Sequence, residues 1–251
     1  MKKIWITGAS SGIGKALSLK FAEEGWLVAA SARRESLLNK ISKMNNNITS
    51  FPLDVTNSEK CKEVFAQIKK KFTNIDVVLF CAGIHDPKLE KSFNLENIQK
   101  IMNVNFFGVI NSINSVYDYF KKKKNGHISI ISSVAGYRGL PSSGAYCSSK
   151  SAITTFAESL YFDLNKFNVK VSIISPGFIK TAITEKNKFY MPMLKSPEYA
   201  AEKIFIGLTK KNNFEIHFPK PFTYLMKVFK ILPDTIFFKI QIIANKLIFK
   251  R

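Results

Sequence analysis

Apolar positions along the chain repeat with two different periods. Short runs rich in β-branched and aromatic residues read as strands: residues 3–7, 27–31, 48–53, 77–81, 127–131, 169–174 and 214–218. The stretches between them place apolar residues three and four apart, the spacing of one helix face. Leu17, Phe21 and Ala22 follow the first strand, a lysine-rich amphipathic helix spans about 57–72, and a long helical region covers about 94–122. Another helix runs from about 144 to 166. One at 197–211 opens on Ser196-Pro197-Glu198, a capping serine followed by proline in the first turn. Strand and helix alternate, which predicts an α/β fold of βαβ units around a parallel sheet. Open sheets of that kind bind ligands beyond the C-terminal ends of their strands, so the segments after each strand are where chemistry is expected. The segment 178–196 is irregular yet carries Phe178, Phe189, Tyr190, Met191 and Met193, and reads as a substrate loop able to close over a site.

Composition narrows the class. A chain of 251 residues, 46% hydrophobic, is long enough to bury one large core. Cys61, Cys81 and Cys147 lie far apart with no Cys-x-x-Cys pair, which predicts reduced thiols, a cytoplasmic protein and no metal site. The basic and apolar start breaks off at Thr7-Gly8, too soon for a secretion signal, so it reads as a strand. A net charge of +20 invites a nucleic-acid or membrane reading, yet only Arg33, Arg34, Arg138 and Arg251 of the 38 basic residues are arginine. Groove readout leans on bidentate arginine, so no specific nucleic-acid partner is expected.

Three local patterns carry chemistry. Directly after the first strand comes Gly8-Ala9-Ser10-Ser11-Gly12-Ile13-Gly14, opening a helix. A glycine turn there lets backbone N–H groups approach a pyrophosphate at the helix N-terminus. The second strand ends at Arg33-Arg34, with no acid at 31–34. A carboxylate at that point would hold the ribose 2′-hydroxyl of NAD, whereas arginine suits the 2′-phosphate of NADP. Finally, Ser133 lies thirteen residues before Tyr146, and Lys150 follows the tyrosine by four. Residues four apart share a helix face, so the ammonium is expected to lower the phenol pKa from about 10 and make Tyr146 a proton donor, with Ser133 holding a carbonyl oxygen.

These motifs together resemble the short-chain dehydrogenase/reductase family over about 1–218. The resemblance implies a Rossmann-like doubly wound sheet of about seven strands with helices on both faces, in a homodimer or homotetramer. It implies a catalytic set of Asn105, Ser133, Tyr146 and Lys150. Hydride transfer between NADP(H) and a small carbonyl or alcohol would proceed with Tyr146 as proton donor. Lys150 would also bind the nicotinamide ribose, and Asn105 would hold a water that reconnects Lys150 to solvent. Asp54 matches the adenine-binding residue, and Pro176-Gly177 and Thr181 match the segment that holds the nicotinamide and pyrophosphate. Val55, Ala82, Gly83 and Ile179 complete the implied cofactor contacts. The chain departs from the family at Phe80-Cys81, where an Asn pair usually precedes Ala-Gly. His127 and His217 read as structural, and His85 at most as a substrate-loop residue.

The family pattern leaves 219–251 as a separate tail beyond the 1–218 catalytic unit. Phe222, Leu225, Met226, Phe229 and Leu232 recur at helical spacing, and after Pro233-Asp234 so do Ile236, Phe237, Ile240, Ile243, Ala244 and Leu247. Seven basic residues, Lys250 and Arg251 among them, face one acid. Two readings fit: a helix pair packed on the domain, a sister subunit or the substrate entrance, or an amphipathic pair lying peripherally on the inner face of a membrane. The apolar loop and tail point to a hydrophobic or lipid-like substrate. A cofactor-binding regulatory protein that has lost catalysis, or a membrane-surface binding protein, is the rival class. The complete Ser/Tyr/Lys set argues against the first.

Overall fold

Seven strands share one direction. The computed structural model describes residues 1–87, 90, 93–187, 189–211 and 213–249, with backbone alone at 245 and 247–249. Its strands are β1 (Lys3–Thr7), β2 (Leu27–Ala32), β3 (Ile48–Pro52), β4 (Val77–Phe80), β5 (Gly126–Ile131), β6 (Val169–Pro176) and β7 (Glu215–Phe218). They lie in the order β3-β2-β1-β4-β5-β6-β7, and every pairing is parallel. The chain starts at the centre, walks out to β3, crosses back to β4 and walks to β7. The order therefore reverses between β1 and β4, which opens a crevice at their C-terminal ends.

Alternation along each strand feeds two cores. Trp5 points to the face covered by α3 (Ser58–Phe72), α5 (Gly108–Lys123) and α6 (Gly144–Asn165). Ile4 and Ile6 point to the face covered by α1 (Gly12–Glu23), α2 (Glu35–Ser42) and α7 (Pro197–Lys210). Trp5 is fully buried, stacked on Phe65 and edge-on to Phe80, both at 5.7 Å, with its indole N–H donating to Ser31 Oγ at 2.9 Å. Truncating such a side chain to alanine costs about 3–5 kcal/mol.

The seven strands and the helices expected at 57–72, 144–166 and 197–211 fall within two residues of those boundaries, while α2 is not among the expected elements. The long helical region is not uniform, however. Between α4 (Leu95–Met102) and α5 one turn widens into a π-helix, Asn103–Phe107, which carries Asn105. Such one-turn widenings recur at functional sites.

The tail forms α8 (Lys220–Ile231) and α9 (Asp234–Phe249). Its inner face differs from the expected stripe. Polar anchors orient α8: Thr223 Oγ1 bonds His217 Nδ1 at 2.6 Å, and Lys227 Nζ lies 2.5 Å from Glu215 Oε2. These turn Thr223 and Met226 inward and leave Leu225 exposed. Burial works against the Glu215 carboxylate, but Lys227, Ser175 and Tyr137 outweigh it and hold its pKa below the usual range. On α9 Phe237 is buried, with the Arg138 guanidinium 4.4 Å above its ring, while Ile236, Ile240 and Ile243 stay exposed. Arg138 also pairs with Asp234. The Leu247 side chain, Lys250 and Arg251 lie outside the described residues.

Candidate active site

A cleft of about 450 Å³ opens at the reversal point, and its walls carry both the glycine turn and the Ser133/Tyr146/Lys150 group. On one side β1 runs into Gly8, whose φ of +69° is the left-handed conformation. A Cβ there would lie 2.8 Å from the Ala82 backbone, so the turn rests directly on the end of β4. A Cβ on Gly14 would lie 2.3 Å from the Gly8 carbonyl oxygen, so α1 starts hard against the turn. Ser11 is the N-cap of α1, but its hydroxyl does not cap the helix. It accepts instead from Arg34 Nη2 at 2.7 Å, and Ser10 Oγ accepts from the same nitrogen at 3.0 Å. The first N–H groups of α1 thus lack a side-chain cap, and Gly12, Ile13 and Gly14 line the cleft. A helix start of this kind, flanked by Arg33 and Arg34, fits the phosphates of a dinucleotide.

The rest of the expected cofactor set lines the same cleft: Asp54 and Val55 after β3, Ala82 and Gly83 after β4, Pro176, Gly177, Ile179 and Thr181 after β6. Asp54 Oδ1 accepts from Thr56 N and Thr56 Oγ1 at 3.0 and 2.8 Å, which fixes that turn. Thr7 Oγ1 accepts from Cys81 N at 3.1 Å and Ala82 N at 3.4 Å. The end of β4 is therefore satisfied without the family's Asn pair.

Ser133 follows β5 and caps a short turn, its Oγ accepting from Ala135 N at 3.1 Å. Tyr146 sits in the first turn of α6, and Lys150 one turn later. The electrostatics differ from the expectation. Burial dominates at Tyr146 and pushes its pKa up to about 12, against a hydrogen bond from Ser133 that favours the phenolate. Lys150 does not offset that burial; its Nζ donates to the Ile131 carbonyl at 3.0 Å and stands 5.8 Å from the Tyr146 ring centre. Burial instead lowers its own pKa to about 8.

Asn105 is fully buried and stays off the cleft wall. Its Oδ1 accepts from Ile84 N at 2.7 Å, and its Nδ2 donates to Ile84 O at 2.9 Å and Ser149 Oγ at 3.1 Å. It pins the segment after β4 to α6. Gly83 marks the space beside it: a Cβ there would lie 3.4 Å from Asn105 Oδ1 and 3.7 Å from Lys150 Nζ.

Sequence reasoning underrated one pair. The His85 ring stacks on Tyr146 with centres 4.3 Å apart, and its Nε2 lies 3.2 Å from Glu90 Oε1, out of line for a hydrogen bond. Glu90 Oε2 accepts from Ala145 N at 2.8 Å and Tyr146 N at 3.3 Å, so this carboxylate occupies the N-terminus of α6. No sequence spacing announces a contact that joins 85, 90 and 146. His127 and His217 are structural: His127 Nε2 meets Ser172 Oγ at 2.8 Å, and His217 anchors α8. Lys186, which lines the cleft, reaches Asp86 Oδ2 from its Nζ at 2.7 Å. The segment 178–196, expected from its sequence to be irregular, carries a parallel bridge between Ile179 and Lys195. Phe178 packs against Phe189 and against Phe222 of α8.

Comparison with known proteins agrees with the fold. The family model described as short chain dehydrogenase matches residues 2–189. The chain is 36% identical over 206 residues to the 3-oxoacyl-[acyl-carrier-protein] reductase FabG of Thermotoga maritima, covering 80% of this chain and 82% of that protein. It is 32% identical over 197 residues to the 3-ketodihydrosphingosine reductase of Bacteroides thetaiotaomicron, covering 78% and 71%. Among solved structures it resembles ElxO with NADP bound, at 26% identity and a TM-score of 0.76, covering 86% of this chain and 97% of that one.

Proposed function

Since the chain belongs to the short-chain dehydrogenase family, we propose that this oxidoreductase is an NADP(H)-dependent reductase of a hydrophobic, lipid-like ketone or aldehyde. The observation that carries the reading is the meeting of Ser133, Tyr146 and Lys150 with the glycine turn, Arg33 and Arg34 in one cleft. Bound NADPH supplies the hydride for the carbonyl carbon. Ser133 Oγ and Tyr146 Oη donate hydrogen bonds to the carbonyl oxygen, and as negative charge grows there Tyr146 gives up its proton, completing the alcohol. A phenol pushed up to about 12 is protonated at neutral pH, as a donor must be. Lys150 lines the same cleft, and with a pKa of about 8 it can resupply the phenol's proton through an intervening hydroxyl or water. The space beside Gly83, between Asn105 Oδ1 and Lys150 Nζ, suits the water that would recharge Lys150.

Arg33 and Arg34 favour the 2′-phosphate of NADPH through charge-assisted hydrogen bonds. The named relatives that reduce 3-oxoacyl and 3-ketosphingoid compounds, together with the Phe178/Phe189/Phe222 cluster beside Gly177, support a 3-oxo lipid as substrate class. Three unpaired cysteines suit a reducing, cytoplasmic compartment. Exposed Phe107 and Phe162 near the outer faces of α5 and α6 suit a second copy of the chain, in a homodimer or homotetramer. The test is a set of titrations and turnovers with both cofactors and a panel of carbonyls graded in chain length. NADPH should bind at least about tenfold tighter than NADH, and Arg33→Ala should erode that preference without changing NADH binding. Equal dissociation constants for the two cofactors would remove the NADP assignment, and equal turnover of short and long ketones the lipid assignment.

A further inference from the structure

We infer that the outward faces of α8 and α9 form a surface that seats the protein on an anionic lipid bilayer. This goes beyond the catalytic reading and does not depend on it. On α8, Tyr224, Leu225, Val228 and Ile231 fall within about a third of the helix circumference. All four are exposed, Ile231 by 80%. The inner face is already taken by Thr223 and Met226. On α9 the buried Phe237 defines the inner side, Phe238 and Ile242 border a groove against Gly139, Leu140 and Pro141, and Ile243 is exposed by 60%. Neither helix is long and apolar enough to cross a membrane, nor is any other helix among the described residues. Apolar side chains outward on helices of this length suit a position within the interface, parallel to it.

Charge selects the occupant. In the described part of the tail Lys227 is paired with Glu215 and the one acid, Asp234, with Arg138, which leaves Lys220, Lys230, Lys239 and Lys246 to meet headgroups. Long lysine stems can lie along the apolar surface with their ammonium groups at headgroup level. A second copy of the chain would bring the same lysines and another net charge of +20 to the contact, whereas anionic headgroups neutralise them. Each lysine near such a surface strengthens binding roughly fivefold. The seat also lies beside the cleft. Phe222 of α8 packs on Phe178, and a Cβ on Gly177 would lie 2.7 Å from its ring. Arg138, which clasps α9, comes from the segment between Ser133 and Tyr146. A bilayer under the tail would therefore sit next to the segments that frame the cleft mouth.

The test is co-sedimentation of the full chain with vesicles of equal parts phosphatidylglycerol and phosphatidylcholine, against phosphatidylcholine alone, at low and high salt. The protein should pellet with the anionic vesicles, weakly or not at all with neutral ones, and less at high salt. Two triple variants, Leu225→Asn/Ile231→Asn/Ile243→Asn and Lys230→Gln/Lys239→Gln/Lys246→Gln, should each weaken partition at least about tenfold. Both sets are exposed, so the thermal midpoint should be unchanged. Full-length protein that stays in the supernatant at low salt would overturn the proposal. So would equal pelleting with neutral vesicles, or an apolar triple variant that pellets undiminished, which would reduce the surface to nonspecific lysine attraction. An apolar triple variant that breaks up an oligomer, while the unchanged protein ignores vesicles, would assign the face to a second copy instead.

Discussion

Burial sets the protonation of the two central residues, and it acts on them in opposite directions. Taken out of water, Tyr146 holds its proton more tightly and Lys150 less tightly. The spacing of four in the sequence announced that these side chains are neighbours, but not how dry their surroundings are, which is why the expected lowering of the phenol fails. The lysine then sets the pH response. With a pKa of about 8 it loses its charge as pH rises through that value, so reductive kcat/KM should fall above about pH 8. Lys150→Met should remove that limb and lower the rate by roughly 10²–10⁴. A profile flat to pH 10 would contradict the role given to Lys150. His127 gives a matching stability prediction. Burial, with Lys170 adding repulsion, lowers its pKa from 6.5 to about 4. The folded value lies below the unfolded one, so the contribution of neutral His127 is complete above pH 6.5 and is lost as pH falls toward 4. The loss reaches at most about 3 kcal/mol, and His127→Gln should flatten it in urea titrations between pH 7 and 4.5.

Elements were the most legible part of the chain, because strands and helices carry their own periods. The turn between β1 and α1 could be read from its glycines alone. What each glycine avoids became visible only in three dimensions. Gly14 leaves no room for a methyl group 2.3 Å from the Gly8 oxygen, so Gly14→Ala should cost about 1–3 kcal/mol and weaken NADPH binding as the turn shifts. Unchanged stability and affinity would show the contact to be soft. Features that depend on partners far along the chain were not legible. The π turn at Asn103–Phe107 exists where Asn105 reaches Ile84 and Ser149, and Glu90 finds the start of α6 across a gap of more than fifty residues. The inner face of α8 escaped for the same reason. Its apolar spacing allowed several faces, and His217 and Glu215 select one.

At the scale of the molecule, the reversal of strand order between β1 and β4 gathers segments from six strand ends into one cleft. No short window of sequence encodes that meeting, although the ordered motifs implied it through resemblance. Beyond Arg33, Arg34 and Lys150, the net charge of +20 is carried by many other lysines, which suits a surface role rather than a catalytic one. The central claim is that the gathered residues transfer a proton from Tyr146 while NADPH reduces a carbonyl. It is tested most directly by Tyr146→Phe, measured for NADPH affinity and for single-turnover reduction in the same preparation. The phenol ring and its stack on His85 remain in that variant, and only the donor hydroxyl is removed. Affinity for NADPH should stay within about threefold, and the rate of reduction should fall by at least about a hundredfold. A variant that binds NADPH and still reduces its carbonyl at a rate near that of the unchanged protein would contradict the account.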